Sequence, residues 1–234
     1  MNFAASTPEN GPTTGTTLGE QLLLLALDDE SGAEKESANV AYAIAAASLV
    51  ELVLAGRVVV EGDRVTVRDA APLGDPTLDA ALADIAGWNK PRPRATKEWV
   101  EHLKRGAVAG TTRNLVAKGL VREEKKKVLG LFPVTRYPEA DGTAEAELRR
   151  VLDEVVMRGA TPDERMASLV ALLHGAKLHG LLYAKPELAT AKTNMERIAH
   201  SQWAAPAVQQ AIKAAEDALT AIIAVTVVTT VVAN

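Results

Sequence analysis

Apolar residues recur along this chain at helical spacing, in segments that carry their own start or stop signals, and that pattern commits the chain to a mainly α fold. Leu18, Leu22, Leu25 and their neighbours form the first segment, which Gly32 closes after the acidic Asp28 to Glu30 group. An alanine-rich helix follows from about Asn39 to Ala55, with Leu49, Leu52 and Val53 turned inward and Gly56 as its C-cap. Asp75 is a good N-cap and Pro76 suits the first helical position, so a helix is predicted to about Ile85, stopping at Gly87. Thr96 starts another, containing Trp99 and Leu103. A separate helix covers Thr111 to Lys118, and Gly106 and Gly110 make the join between the two soft. Start signals at Thr143, Thr161, Pro186 and Pro206 open four more, ending near Met157, Lys177, Ile198 and Val232.

Two short hairpins interrupt the helices. Val58 to Val60 and Val65 to Arg68 flank Glu61-Gly62-Asp63, and with the helices before them they give the N-terminal part a winged-helix look. The second hairpin, at about residues 120–133, pairs Leu120 to Glu123 with Val128 to Phe132 around a charged turn, Glu124 to Lys127. Between the two, Asn89 to Ala95 carries Pro91 and Pro93 among Lys90, Arg92 and Arg94; it cannot be helical and reads as an extended basic connector.

The expected organisation is a disordered tail over residues 1–17, rich in Thr, Gly and Pro, and one helical domain over residues 18–234. The tail has neither a basic start nor an apolar stretch, so it is not a secretory signal. With no cysteine in 234 residues, disulfides and thiolate chemistry are excluded and a cytoplasmic location is the default expectation. Ala218 to Ala233 is the single candidate membrane span, but it is short and holds Thr226, Thr229 and Thr230; a buried helix in the middle of the core is the better reading.

Charge is segregated. Lys and Arg number 4 against 14 Asp and Glu over residues 1–87, 12 against 4 over 88–127, and 10 against 12 beyond, although the whole chain is −4. A basic middle segment favours a polyanionic surface, since each Lys or Arg near an anionic membrane gains about 1 kcal/mol.

Four phrases in order add a more specific signal: LGEQLLLLALDDESG from Leu18, SLVELVLAGRV from Ser48, APLGDPTLDAAL from Ala71 and RNLVAKGLV from Arg113. A fifth, RMASLVALLHGAKL, starts at Arg165. Together they resemble the Golgi phosphoprotein three family over roughly Leu18 to Val232. The resemblance implies a non-enzymatic peripheral membrane adaptor that binds phosphatidylinositol 4-phosphate, with no cofactor, metal or catalytic residue. It also implies protein clients and a projecting hairpin that meets the membrane and self-associates.

In the family's headgroup site, three arginines and a tryptophan hold the phosphoinositide. Aligned without gaps, those positions fall on Arg105, Val108, Ala45 and Glu36, so Arg105 alone matches. Lys104 and Arg113 are the neighbouring candidates for lipid-headgroup contact. The membrane-facing hairpin would present Val128, Leu129, Leu131 and Phe132 beside Lys125, Lys126 and Lys127.

Other residues offer little chemistry. His174 and His179 stand five apart, not the four of a helical metal pair, and read as structural. Glu51, amid apolar residues, is expected to pair with a cation such as Arg57. Trp88, Trp99 and Trp203 look too scattered for a stacking platform. The alternatives are a winged-helix nucleic-acid binder, which the acidic N-terminal part disfavours, and a pure protein-interaction module.

Overall fold

A capping box starts the first helix. The Thr17 hydroxyl accepts from the Glu20 amide at 3.2 Å and the Glu20 carboxylate accepts from the Thr17 amide at 2.7 Å, so two amides that the helix leaves unpaired are satisfied reciprocally. The helix, α1 (Leu18–Ala26), is buried along its whole length, as a helix apolar all round must be. It is shorter than expected. Leu27 turns to extended backbone, with ψ 146°, and Asp28 to Gly32 lie outside the described residues. The computed structural model describes residues 15–27, 37–88, 91–128, 132–140, 142–201 and 204–232.

α2 (Ser37–Leu54) is the hub. Ala43, Ile44, Ala45, Ala46 and Ala47 are completely buried, and α1, α4 (Thr96–Ala117) and α8 (Pro206–Val232) pack around it. Small residues permit the close approach: a Cβ on Gly19 of α1 would stand 3.2 Å from Ile44 Cγ2. The expected central place of α8 is therefore taken by α2. α8 buries one stripe, including Ile212, Ala215, Leu219 and Ile222, and exposes Lys213, Asp217 and Thr220.

The hairpin of β1 (Val58–Glu61) and β2 (Arg64–Val67) pairs Val58 with Val67 and turns at Gly62, whose φ of +63° suits a residue without a Cβ. Asp75 caps α3 (Pro76–Ala86), accepting from the amides of Thr77 and Leu78, and the end of the connector meets β2, with Ala95 bridging Arg64 and the Arg94 carbonyl accepting from the Val65 amide at 3.1 Å.

The fourth helix departs from expectation. α4 is one continuous helix of 22 residues through Gly106 and Gly110. Packing overrides the propensity cost, because at Gly110 the helix lies so close to α3 that a Cβ would be 3.0 Å from the Thr77 hydroxyl.

The second hairpin also differs. Its strands are β3 (Glu124–Val128) and β4 (Phe132–Arg136), in register from Glu124–Arg136 to Val128–Phe132. The lysines expected in the turn are strand residues, and residues 129–131 lie outside the described set. The ribbon's main contacts are between its own strands, so cross-strand pairing with residues distant in sequence defines its charged half as strand, and that half did not read as strand on its own.

The remaining helices are α5 (Thr143–Val156), α6 (Glu164–Gly175) and α7 (Lys185–Ala199), with a 3₁₀ turn at His179–Leu181. Asp163 caps α6 through the Met166 amide, two residues beyond the expected Thr161. The whole is a mainly α, single globular domain. Of the expected tail, Gly15 to Thr17 belong to the folded body, and residues 1–14 lie outside the described residues.

Candidate anion-binding surface on the fourth helix

The basic connector is fixed to the start of α4 by aromatic rings. Trp88 and Trp99 meet edge-on with centroids 6.0 Å apart, and the Arg94 guanidinium lies 4.0 Å from the first ring and 4.8 Å from the second. The Trp88 indole N–H donates to the Arg92 carbonyl at 3.1 Å. Trp99 is a core residue, 1% exposed, and Trp88 joins it through a cation rather than by adjacency in sequence, in an edge-on contact that is no stacking platform. Trp203 lies outside the described residues.

Beside this stack is a surface depression of about 410 Å³, lined by Arg94, Lys97, Glu98, Glu101, Lys104 and Arg105 together with His102. Helical spacing explains the convergence, since residues 97, 101, 104 and 105 fall on one face of α4. Lys104 lies 4.0 Å over the Tyr42 ring, hydrogen-bonds its hydroxyl, and pairs with Glu101 at 2.8 Å. Burial lowers its pKa, but the hydrogen bonds to Glu101 and Tyr42 outweigh that and hold the ammonium above its ordinary value. Glu98 accepts from the Ala95 amide at 2.9 Å as part of the helix cap. Arg105 makes no ion pair among the described residues. The depression is consequently cationic with one guanidinium uncommitted.

Arg113 is not brought to Lys104. It lies two turns beyond Arg105 and lines a different cleft, of about 750 Å³, between α3 and α4; Arg105 borders both. Ala45 is completely buried and Val108 is half-buried against the core, so neither position can present a side chain to a headgroup as it stands. Glu36 lies outside the described residues, as do Lys90, Leu129 and Leu131. Lys125, Lys126, Lys127 and Val128 lie in β3, and the Lys125 side chain is 77% exposed, 3.5 Å from Glu123.

Glu51 pairs with Arg165, not Arg57. Arg165 reaches it from α6 through both guanidinium nitrogens, at 2.7 and 3.0 Å, while Arg57 pairs with Asp69 at 2.6 Å. His174 and His179 do meet: Nε2 of the second lies 3.1 Å from Nδ1 of the first, and Glu216 of α8 stands 3.9 Å from His174. Burial, with His174 beside it, pushes His179 down to about 4; burial also lowers His174 and raises Glu216. Among the described residues no group of three or more potential ligands could hold a metal ion.

Tyr42 escaped sequence reasoning, because one tyrosine in an alanine-rich helix carries no motif.

Comparison with known proteins identifies the relatives. The family model described as Golgi phosphoprotein 3 (GPP34) matches residues 18–215. Vacuolar protein sorting-associated protein 74 of Eremothecium gossypii is 28% identical over 176 residues, covering 64% of this chain and 52% of that protein. The chain thus aligns with about half the length of this curated relative.

Proposed function

The chain belongs to the Golgi phosphoprotein 3 family, and from that premise we propose that it is a non-enzymatic peripheral membrane adaptor held to anionic lipid by the basic face of α4. The observation that carries this reading is the convergence of Arg94, Lys97, Lys104 and Arg105 on one depression with two carboxylates, each already engaged. Arg105 supplies the uncommitted fork for a lipid phosphate. With Ala45 and Val108 where family headgroup arginines are expected, phosphatidylinositol 4-phosphate is one anionic lipid among those bound rather than a selected one.

The lysine ribbon β3–β4 is the second contact and the surface for self-association. Among the described residues no helix is long and apolar enough to cross a membrane, which suits attachment at the surface. The opposite faces of the helical body remain for a protein client.

Co-sedimentation with neutral, anionic and phosphatidylinositol 4-phosphate-doped liposomes, at low and physiological salt, tests the reading. Salt-sensitive binding to any anionic liposome, weakened by Lys97→Glu with Arg105→Glu, is the expected result. Absence of binding at low salt overturns it, and strong preference for the phosphoinositide overturns the unselective part.

A further inference from the structure

We infer that Arg94 is a phosphate-binding fork set in place by two indole rings, and that Trp88 is its positioning residue. The inference rests on the membrane reading and deepens it: the basic face takes a lipid phosphate through a prepositioned arginine, not by net charge alone.

Three observations carry it. The first is that the backbone around Arg94 is fixed. Arg64 donates to the Pro93 carbonyl at 3.2 Å, the Val65 amide donates to the Arg94 carbonyl at 3.1 Å, and the Thr96 amide donates to the Asp63 carbonyl at 2.7 Å. The connector is thus tied to the β1–β2 hairpin just before α4 begins.

The second is how the side chain is held. Its guanidinium carbon lies 4.0 Å from the centre of the Trp88 ring and 4.8 Å from that of Trp99. The Trp99 ring is part of the core and meets His102 edge-on, with centroids 5.6 Å apart. Trp88 is half-buried and closes the connector through its N–H to the Arg92 carbonyl. An indole face attracts a cation by its charge distribution and offers N–H donors no oxygen lone pair. The Arg94 side chain makes no hydrogen bond or ion pair among the described residues, so its position is held while its donors stay unspent.

The third is the contrast with its neighbours in the depression. Lys104 spends its ammonium on Glu101 and Tyr42, and Glu98 is engaged by the Ala95 amide. Lys97 is a point charge without a fork. Arg105 has donors to offer but no partner that fixes them. Arg94 combines a fixed place with an unspent fork, so a phosphate bound there costs less side-chain ordering than one bound by an arginine that must first be immobilised.

The test is co-sedimentation of the full chain at low salt with vesicles of phosphatidylglycerol in phosphatidylcholine, the first of which carries phosphate as its one charged group. Arg94→Lys, Trp88→Leu and Trp88→Phe all preserve the net charge. Arg94→Lys should weaken binding at least about fivefold, because an ammonium replaces the fork, and Trp88→Leu at least about threefold. Trp88→Phe, which restores a ring face, should recover most of that loss. Sodium phosphate should displace the protein more than sodium chloride of equal ionic strength, since it competes for the fork as well as screening it. Urea unfolding midpoints show that each variant is folded.

Equal binding by Arg94→Lys and the unaltered protein overturns the proposal and leaves the membrane reading standing on net charge. Equal loss in a folded Trp88→Phe and Trp88→Leu overturns the positioning role, and should Trp88→Leu fail to fold, Arg94→Lys decides the fork alone. Equal displacement by the two salts overturns the phosphate fork. Saturable binding of inorganic phosphate at micromolar concentration without vesicles would give the fork to the free ion and overturn its assignment to lipid. No binding of the unaltered protein to the vesicles overturns the membrane reading, and this proposal with it.

Discussion

Arg165 grips Glu51 with both arms of its guanidinium, at 2.7 and 3.0 Å, across 114 residues of chain. The same Glu51 accepts from the Leu18 amide at 2.6 Å, and the same arginine donates to the Thr16 carbonyl at 2.6 Å. One ion pair thus ties the entry of α1 to α2 and α6. Replacing Arg165 with Met leaves a carboxylate only 10% exposed without its cation. Because the arginine itself is partly solvated, the expected loss is about 2 kcal/mol rather than the full cost of a buried orphan charge. Arg165→Lys should recover part of it, since an ammonium cannot form the two-armed contact. Urea unfolding midpoints of the three proteins check both statements.

The His174–His179 contact makes stability depend on acidity. His179 falls to about 4 in the folded protein against 6.5 when free, so between those values the unfolded chain binds the extra proton and stability drops as pH falls. The expected loss from pH 7 to pH 4 is roughly 3 kcal/mol from this residue. Glu216, raised by burial, works in the opposite sense above its ordinary value, losing stability as pH rises through its folded pKa. His179→Gln should flatten the acid limb of a plot of unfolding midpoint against pH, and an unchanged slope would show that other groups carry it.

At Gly175, α6 lies tightly against α8. A Cβ there would stand 2.9 Å from Glu216 Cγ and 3.3 Å from its Cα, and the second of these is backbone that cannot swing away. Gly175→Ala should therefore destabilise by about 1–3 kcal/mol, despite a helix propensity gain of about 1 kcal/mol. Thermal unfolding measures the balance, and a stabilised variant would mean that the two helices can separate freely.

Reversing Lys125, Lys126 and Lys127 to Glu should weaken binding to anionic liposomes by at least about tenfold at low salt while leaving the unfolding midpoint nearly unchanged. The ribbon's main contacts are between its own strands, so the fold has little to lose. Liposome co-sedimentation beside urea unfolding separates the two effects.

What the sequence made legible was whatever local chemistry decides. Asp75 with Pro76 announces α3, and α8 spans Pro206–Val232 as its start signal and apolar run indicate. What stayed illegible depends on partners distant in sequence. Gly106 and Gly110 look like a break until Thr77 is packed against the second of them. The lysines of β3 look like a turn until Arg136 and Thr135 pair with that strand. Neither the Arg165 partner of Glu51 nor the Arg94 bridge between Trp88 and Trp99 leaves a mark on its own segment. Arg105 and Lys104 were adjacent in any reading, but that Arg113 faces another cleft follows only from the helix running unbroken between them.

A helix buried on every side, as α1 is, also sets a clock inside the molecule. Its amides can meet solvent deuterium only when the surrounding helices part, so exchange at Leu22 to Leu25 reports opening of the entire domain, whereas the amides of β3 report the fraying of one ribbon. A ligand that slows the ribbon alone has docked locally. One that slows α1 has deepened the well in which the whole fold sits, wherever on the surface it is bound.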